Sequence, residues 1–222
     1  MKAVLFGGSG MIGQGVQREL CARPDVTAVV AVGRSPLEAP DAKVRSVVLK
    51  DLTDYSGVGD HFSGVDAVFF CLGVSSSGMN EADYRKVTVD LPVAAAKALH
   101  AKSPGAVFCF ISGAGTDATA QGRTMWARVK GEAENALQRI GFKAVYCFRP
   151  GYIQPMDGIT SKTPSYRWMY RFTTPLYPLF KGMKKVVTTT RQLGFAMVEV
   201  AQRGWPTPVL ESADINAVKR AT

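Results

Sequence analysis

The chain has 222 residues, of which 46% are hydrophobic and 20% are charged. This size and composition suit one soluble globular domain, and no apolar run reaches the ~18 residues that a membrane-spanning helix needs. The four cysteines form no Cys-x-x-Cys pair, and no histidine and carboxylate cluster has metal-ligand spacing, so we predict buried reduced thiols and no metal site. The N-terminus enters a strand without a signal peptide, and we therefore expect a cytoplasmic protein.

Strand-length apolar runs alternate with helical patterns along most of the chain. The predicted strands are Ala3–Phe6, Ala28–Val32, Val44–Leu49, Ala67–Cys71, Ala106–Ile111 and Ala144–Phe148. The predicted helices are Gly13–Cys21, Ala82–Ala101, Met125–Ile140 and Leu193–Gln202. Most of the strands are continuously apolar, which is typical of strands buried on both faces. The alternation predicts an α/β fold with a Rossmann-type, doubly wound parallel sheet.

The pattern changes after Pro150, where prolines and aromatic residues become frequent. We predict that residues 151–190 form a small irregular C-terminal lobe within a single NAD(P)-binding domain of residues 1–222. Ligands of open parallel sheets bind at the carboxyl ends of the strands, so a lobe at that edge would form the substrate side of the site.

The net charge of +9 is unevenly distributed, because residues 158–198 contain no acidic residue. A basic stretch of this kind attracts phosphorylated cofactors, acidic substrates or an anionic membrane surface, and a solvated surface is the alternative interpretation. Basic and aromatic residues interleave in Tyr166–Lys185, which suits a peripheral membrane contact, a lid over the substrate or a dimer contact. No nucleic-acid-binding motif accompanies the charge, so we predict no nucleic-acid partner. The sequence leaves the substrate and the oligomeric state open.

A glycine-rich loop, Gly7-Gly8-Ser9-Gly10-Met11-Ile12-Gly13, follows the first predicted strand and opens the first predicted helix. The first glycine of such a loop allows the tight turn, the second lets the backbone approach a pyrophosphate, and the third lets the helix pack against the strand. The helix N-terminus adds free N–H groups and a partial positive charge. We therefore predict a dinucleotide site formed by Gly7, Ser9, Gly10, Met11, Ile12 and Gly13.

The end of the second strand indicates which cofactor binds. An acidic residue there would hold the ribose hydroxyls of NAD, but the sequence continues Gly33-Arg34-Ser35. Arg34 suits the 2′-phosphate of NADP, which we predict in preference to NAD; a solvated loop arginine is the alternative. Further cofactor contacts are predicted where the third and fourth strands end, at Asp51, Leu52, Leu72 and Gly73.

These features resemble the short-chain dehydrogenase/reductase superfamily, in particular its atypical Tat-interacting-oxidoreductase-like and NAD-dependent epimerase-like branch. The resemblance covers most of the chain. Besides the glycine loop, it is carried by Ile111-Ser112-Gly113-Ala114-Gly115-Thr116-Asp117, Val129-Lys130-Gly131-Glu132-Ala133-Glu134 and Arg149-Pro150-Gly151.

The superfamily's chemistry uses a serine and a Tyr-x-x-x-Lys pair, whose two side chains share one face of a helix. The resemblance assigns the serine to Ser112 and the ribose-binding lysine to Lys130, but the tyrosine position holds Trp126. An indole N–H donates a hydrogen bond and does not titrate usefully, so Trp126 cannot act as the general acid or base. Tyr152, after the sixth strand, is a candidate substitute, and Tyr84 and Thr124 are further candidates.

Two functions follow. The first is an NADP(H)-dependent oxidoreductase or epimerase-like enzyme that uses another proton donor. The second is a non-catalytic NADP(H)-binding protein that senses redox state or regulates a partner. Loss of the tyrosine favours the second function, whereas Ser112, Lys130 and the Arg149-Pro150-Gly151 segment favour the first.

Overall fold

The structure is a computed structural model, which describes residues 1–37, 41–160, 170, 173–174 and 176–220. Its strands are β1 (Lys2–Phe6), β2 (Ala28–Gly33), β3 (Val44–Val48), β4 (Ala67–Phe70), β5 (Val107–Ile111), β6 (Ala144–Arg149), β7 (Tyr152–Gln154), β8 (Val187–Thr189) and β9 (Val209–Glu211). Its helices are α1 (Met11–Ala22), α2 (Glu81–Arg85), α3 (Leu91–Lys102), α4 (Met125–Gln138), α5 (Thr190–Arg203) and α6 (Ser212–Ala217). A 3₁₀ helix spans Ser56–Phe62 and a π-helical segment spans Lys86–Asp90.

Seven strands form one parallel sheet in the order β3-β2-β1-β4-β5-β6-β9. The order reverses between β1 and β4, which is the point where open α/β sheets bind their ligands. The predicted Rossmann-type fold is therefore confirmed. Strands β7 and β8 form a separate two-stranded parallel sheet.

Each face of the large sheet has its own hydrophobic core, because successive side chains of a strand point to opposite faces. On β1, Val4 and Phe6 belong to the core that α3 and α4 cover, whereas Ala3 and Leu5 belong to the core that α1 and α5 cover. The central strands β4 and β5 are buried along their whole length, as continuous apolar runs predict.

The helix predicted over Ala82–Ala101 is interrupted. It is divided into α2, the π-helical segment and α3, and the Leu91 N–H donates to the Lys86 carbonyl in place of the usual partner four residues back. Pro92 explains the interruption, because its missing N–H and its ring prevent an ordinary helical bond to the preceding turn.

Short elements of the C-terminal part were not predicted. Strands β7, β8 and β9 have three residues each, too few to show a period. Of the predicted lobe 151–190, the structure describes β7, β8 and the residues near them, while 161–169, 171–172 and 175 lie outside the described residues. The single-domain assignment and the lobe's role remain predictions.

Candidate functional site

The glycine loop joins β1 to α1 by a turn that two glycines make sterically possible. Gly7 has φ +75°, and a Cβ there would lie 2.9 Å from backbone atoms of Cys71 and Leu72. A Cβ at Gly13 would lie 2.0 Å from the Gly7 carbonyl oxygen. The fold itself therefore requires glycine at positions 7 and 13.

Two other glycines face open space. A Cβ at Gly10 would meet only the Gly7 carbonyl oxygen, at 3.2 Å, and a Cβ at Gly73 would meet no described atom within 4 Å. Ser9 is exposed, and the Met11 and Ile12 N–H groups of the first turn of α1 donate no hydrogen bond to any described residue. This open cradle of free N–H groups at a helix N-terminus fits the pyrophosphate of a dinucleotide.

The end of β2 presents Arg34 and Ser35 to solvent. The Arg34 guanidinium has no hydrogen bond or ion pair with any described residue, whereas the next acidic residue in sequence, Glu38, lies outside the described part of the chain. Leu37 is anchored by a 2.7 Å hydrogen bond from its N–H to the Ser46 hydroxyl, and its side chain lies over Gly8. Arg34 therefore has no partner among the described residues, and it lies three residues before Leu37, whose side chain contacts the glycine loop.

The ends of β3 and β4 contribute mainly backbone to this edge of the sheet. Asp51 accepts hydrogen bonds from the Thr53 N–H at 2.8 Å and the Thr53 hydroxyl at 2.7 Å, and these bonds lower the pKa of its exposed carboxyl group. The side chain of Leu52 is buried in the core, and Leu72 packs against the same core. Asp51 therefore offers a charged side chain to a ligand, while Leu52 offers its backbone.

A pocket of about 310 Å³ lies beside the end of β4. It is lined by Val74, Ser75, Ser76, Tyr84, Trp126 and Lys130. The structure thus brings together Trp126 and Lys130, as their spacing of one helical turn predicts. No sequence pattern indicated Val74, Ser75 and Ser76, although they directly follow the predicted contact Gly73. A larger, open groove of about 570 Å³ between the 3₁₀ helix and α3 contains none of the predicted site residues.

Lys130 lies in this pocket without an ion-pair partner among the described residues. Its Nζ lies 5.9 Å from the centroid of the Phe110 ring. Burial lowers the Lys130 pKa to about 8, although the charge of Glu134 opposes the shift. The ammonium is consequently available to a ligand, and it loses its proton at a lower pH than an ordinary lysine does.

Ser112, by contrast, is buried beside a neighbouring hydroxyl. Its Oγ lies 2.7 Å from the Thr116 Oγ, and the Thr116 hydroxyl donates to the Gly113 carbonyl at 2.7 Å. Because a hydroxyl has one proton, Ser112 donates to Thr116 in this arrangement. Ser112 is not among the described residues that line the pocket.

Tyr152 lies on β7 and packs away from Lys130. Its hydroxyl donates to the Gln154 side-chain oxygen at 2.9 Å and lies 2.7 Å from the Thr173 hydroxyl. Its ring contacts those of Tyr170 and Phe180, with centroids 5.7 and 5.5 Å away. The structure does not bring Tyr152 into the pocket, and Thr124 is exposed at the N-terminus of α4.

The segments that carry the superfamily resemblance have structural roles as well. A Cβ at Gly131 would lie 1.7 Å from the Asp117 carbonyl oxygen, so α4 packs directly on the loop that follows β5. Arg149 forms a two-point ion pair with Glu134, at 2.9 and 2.5 Å, and both side chains are nearly buried. These contacts fix α4, and therefore Lys130, against β6.

Metal sites and membrane-spanning helices are the other features to consider in the described residues. No group of three histidine, cysteine, aspartate or glutamate side chains there is arranged to hold a metal ion. Within the same residues, no helix is long and apolar enough to cross a membrane.

Comparison with known proteins identifies relatives of this chain. A family described as NAD(P)H-binding matches residues 7–162. Protein fmp52, mitochondrial, of Emericella nidulans is 30% identical over 157 residues, which cover 67% of this chain and 65% of that protein. The chain therefore matches just under two thirds of that relative's length.

Solved structures share the fold at low sequence identity. A short-chain dehydrogenase family protein from Francisella tularensis subsp. tularensis SCHU S4 has a TM-score of 0.63 at 15% identity, covering 95% of both chains. A UDP-N-acetylglucosamine 4-epimerase from Methanobrevibacter ruminantium M1 has a TM-score of 0.64 at 15% identity, covering 92% of this chain and 74% of that chain.

One expectation is overturned by these comparisons. The absence of a signal peptide led us to expect a cytoplasmic protein, but the fungal relatives from Emericella, Aspergillus and Eremothecium are all named mitochondrial. The cytoplasmic prediction is therefore wrong. The lack of a visible secretory signal carries no information about which compartment a protein occupies.

Proposed function

Since this chain belongs to the NAD(P)H-binding family of short-chain dehydrogenase-like Rossmann proteins, we propose that it is an NADP(H)-dependent oxidoreductase or epimerase-like enzyme. The observation that carries the proposal is the pocket at the end of β4, where Lys130 lies without an ion-pair partner among the described residues. Because β4 pairs with β1 in parallel, this pocket and the glycine cradle lie at the same edge of the sheet. When bound, the cofactor would supply or accept a hydride together with its electron pair.

Different residues of the chain would bind different parts of the cofactor. The glycine loop and the first turn of α1 would bind the pyrophosphate, and Asp51 and the Leu52 backbone would lie near the adenine. Gly73 leaves space for the cofactor to pass, and Lys130 would hold the nicotinamide ribose. Substrate would enter from the side of the C-terminal lobe.

The choice of NADP over NAD rests on Arg34. It is exposed, lacks a partner among the described residues, and follows the strand end at which an acidic residue would hold the ribose of NAD. We expect Arg34→Ala to weaken NADPH binding by about 1.5–3 kcal/mol, the value of a hydrogen bond to a charged group. Affinity for NADH should stay within a factor of about two, since NADH has no 2′-phosphate.

Calorimetric titration of the purified protein with NADPH, NADP⁺, NADH and NAD⁺ tests this proposal. Cofactor carried through purification must first be removed. The proposal is supported if the wild type prefers NADP(H) to NAD(H) and Arg34→Ala loses that preference. Equal losses for both cofactors would refute the phosphate role of Arg34, and no binding of any of the four would refute the cofactor site.

A non-catalytic NADP(H) sensor is the alternative, and the structure gives less reason for it. A sensor would need the cradle and could use Lys130 to hold the ribose, but it has no use for a pocket of about 310 Å³ that is large enough for a small substrate. Turnover of any carbonyl substrate decides between the two functions.

A separate surface supports a second proposal, that the protein contacts an anionic membrane. Large apolar side chains are exposed at Leu176, Leu179, Met183 and Val186, with Leu179 83% exposed. Three exposed lysines, Lys181, Lys184 and Lys185, interleave with them. Basic and apolar side chains together suit the boundary between lipid headgroups and acyl chains. Tyr166 and Trp168 of the same predicted stretch lie outside the described residues.

Vesicle sedimentation tests the membrane contact. We expect binding to vesicles of phosphatidylcholine with phosphatidylglycerol, and not to phosphatidylcholine alone, with binding that weakens as salt rises. Lys184→Glu with Lys185→Glu should abolish it, and Leu179→Ser should weaken it. Equal binding by wild type and the double variant would refute the proposal. The names of the fungal relatives support a mitochondrial setting for such a contact.

A further inference from the structure

The pocket holds a lysine but lacks the usual partner for it. Reduction of a carbonyl group requires a proton at the oxygen, and oxidation of an alcohol requires its removal. Trp126 occupies the position from which that proton would come, and its indole does not exchange a proton in the relevant pH range. The proton must therefore come from another side chain that reaches the same space.

Tyr84 is the titratable side chain that shares the pocket with Lys130 and Trp126. It comes from α2, a different helix from the one that carries the superfamily's tyrosine and lysine. Its side chain is only 2% exposed, so it lies against the wall of the pocket rather than on the protein surface.

Two ion pairs hold the helix of Tyr84 in place. Glu81 lies 2.6 Å from Arg128, and Arg85 lies 2.5 Å from Glu132. They connect α2 to α4 on both sides of Tyr84, which is one residue before Arg85 and three residues after Glu81. Because the same two turns of α4 carry Lys130, this double connection fixes the tyrosine and the lysine relative to each other.

The backbone widens directly after this tyrosine. The π-helical segment Lys86–Asp90 begins two residues beyond Tyr84, and π-helical insertions occur often at functional sites. Both α2, which carries Tyr84, and the π-helical segment contact α4, the helix of Lys130.

We propose that Tyr84 replaces the missing tyrosine as the proton donor and acceptor for a small carbonyl or alcohol substrate, with Lys130 as its proton partner. This inference rests on the proposed NADP(H)-dependent function. The two residues of this catalytic pair lie on two helices, Tyr84 on α2 and Lys130 on α4.

In the direction of reduction, a bound dihydronicotinamide would supply a hydride, with both its electrons, to the carbonyl carbon and would thereby be oxidised. The π electron pair of the C=O bond moves to the oxygen, which takes the proton of the Tyr84 hydroxyl. The Lys130 ammonium returns a proton to the Tyr84 oxyanion and is itself reprotonated by water. A lysine pKa of about 8, below that of an ordinary tyrosine, makes this return favourable.

The test compares wild type with Tyr84→Phe, which removes only the hydroxyl. Tyr55→Phe is the control, because the Tyr55 side chain is also buried and lies outside the pocket. Benzaldehyde and cyclohexanone serve as carbonyl probes, being small enough for about 310 Å³. The rate of NADPH oxidation in a single turnover and the calorimetric Kd of NADPH are measured for each protein.

We expect Tyr84→Phe to lower the single-turnover rate by about 10²–10⁴-fold, the usual contribution of a general acid. The Kd of NADPH and the thermal midpoint should stay unchanged, and Tyr55→Phe should behave as wild type. A second readout requires no turnover: the carbonyl probe is labelled with ¹³C at its carbonyl carbon and is bound to the protein together with NADP⁺. Its carbonyl resonance should move upfield in Tyr84→Phe, because a hydrogen bond from the tyrosine deshields that carbon.

Three results would overturn the inference. They are an unchanged rate in Tyr84→Phe, an unchanged carbonyl resonance, and wild-type protein that binds NADPH but reduces neither probe. Failure of the wild type to bind NADPH is a different result, seen by calorimetry alone, and it overturns the proposed function itself.

Discussion

The glycines of the loop after β1 are expected to fall into two classes, which substitution by alanine separates. At position 13 the new Cβ would lie 2.0 Å from the Gly7 carbonyl oxygen, about 1.4 Å short of an ordinary contact of 3.4 Å. Both atoms belong to backbone, so neither can move without shifting α1 or β1. Overpacking of this severity costs about 3 kcal/mol. For a chain of this length, that loss lowers the thermal midpoint by roughly 6–12 °C.

At position 10 the same substitution has a different expected effect. The new Cβ meets only the Gly7 carbonyl oxygen, at 3.2 Å, and the φ of −80° suits alanine. The cost in stability is that of alanine at a helix N-cap, below about 1 kcal/mol. The methyl group points into the open cradle, however, and would displace a phosphate from the helix N–H groups. Loss of a hydrogen bond to a charged group, about 1.5–3 kcal/mol, weakens dinucleotide binding by roughly 10–100-fold.

The assay measures the thermal midpoint and the calorimetric Kd of NADPH for Gly10→Ala, Gly13→Ala and wild type. We expect Gly10→Ala to lose affinity at nearly wild-type stability, and Gly13→Ala to lose stability. Wild-type affinity in Gly10→Ala would refute the reasoning that the open cradle receives the pyrophosphate. A wild-type midpoint in Gly13→Ala would refute the close approach of α1 to the turn.

Two further predictions concern buried charge. Lys130→Met should raise the free energy of unfolding at pH 7 by about 3 kcal/mol, because a lysine pKa lowered from 10.5 to about 8 means that the folded state disfavours the ammonium. Between about pH 8 and pH 10.5 the folded state binds fewer protons than the unfolded state, so the free energy of unfolding of the wild type rises with pH over this range. The difference in stability between Lys130→Met and the wild type should therefore disappear by about pH 10.5. A difference that stays constant when denaturant unfolding is measured across this pH range would contradict the prediction. Glu134→Gln should cost about 1.5–3 kcal/mol, because it removes the buried carboxylate that pairs with Arg149 and leaves that guanidinium, among the described residues, only the more exposed Glu211, at 3.4 Å. The control Glu132→Gln, in a more exposed pair, should cost below about 1 kcal/mol; equal losses in urea unfolding would contradict the burial argument.

The sheet and the glycine loop could be predicted from sequence because their signals are local. Continuous apolar runs predicted six strands to within one or two residues, since a strand buried on both faces needs apolar side chains at every position. The loop was predictable because a backbone turn such as that at Gly7 tolerates almost no other residue.

Which of the candidate hydroxyl residues shares the pocket with Lys130 could not be predicted, because it depends on contacts between distant segments. Tyr84 lines the pocket together with Lys130, and two ion pairs join its helix α2 to α4. Tyr152 looked equally plausible from its place after β6, but its hydroxyl bonds to Gln154 on the same strand. Hydrophobic periodicity reports which face of an element is buried, and it does not report which neighbour that face meets.

The loss of the usual tyrosine and the placement of Tyr84 make a joint prediction about Trp126. The Trp126 ring packs close to Gly115, where an added Cβ would lie 3.3 Å from the ring edge. The same side chain lines the pocket together with Lys130. A tyrosine at position 126 would therefore present a hydroxyl one helical turn from Lys130.

If Tyr84 on α2 donates the proton in place of a residue on α4, a tyrosine at position 126 of α4 should restore the reaction. Trp126→Tyr in the Tyr84→Phe background should recover at least about tenfold of the lost single-turnover rate, since a positioned general acid contributes about 10²–10⁴-fold. Trp126→Phe in the same background is the control, because it makes the same loss of ring volume without supplying a hydroxyl. Equal rates in the two double variants would show that the proton does not come from the space between these helices, and would remove the reason for pairing Tyr84 with Lys130.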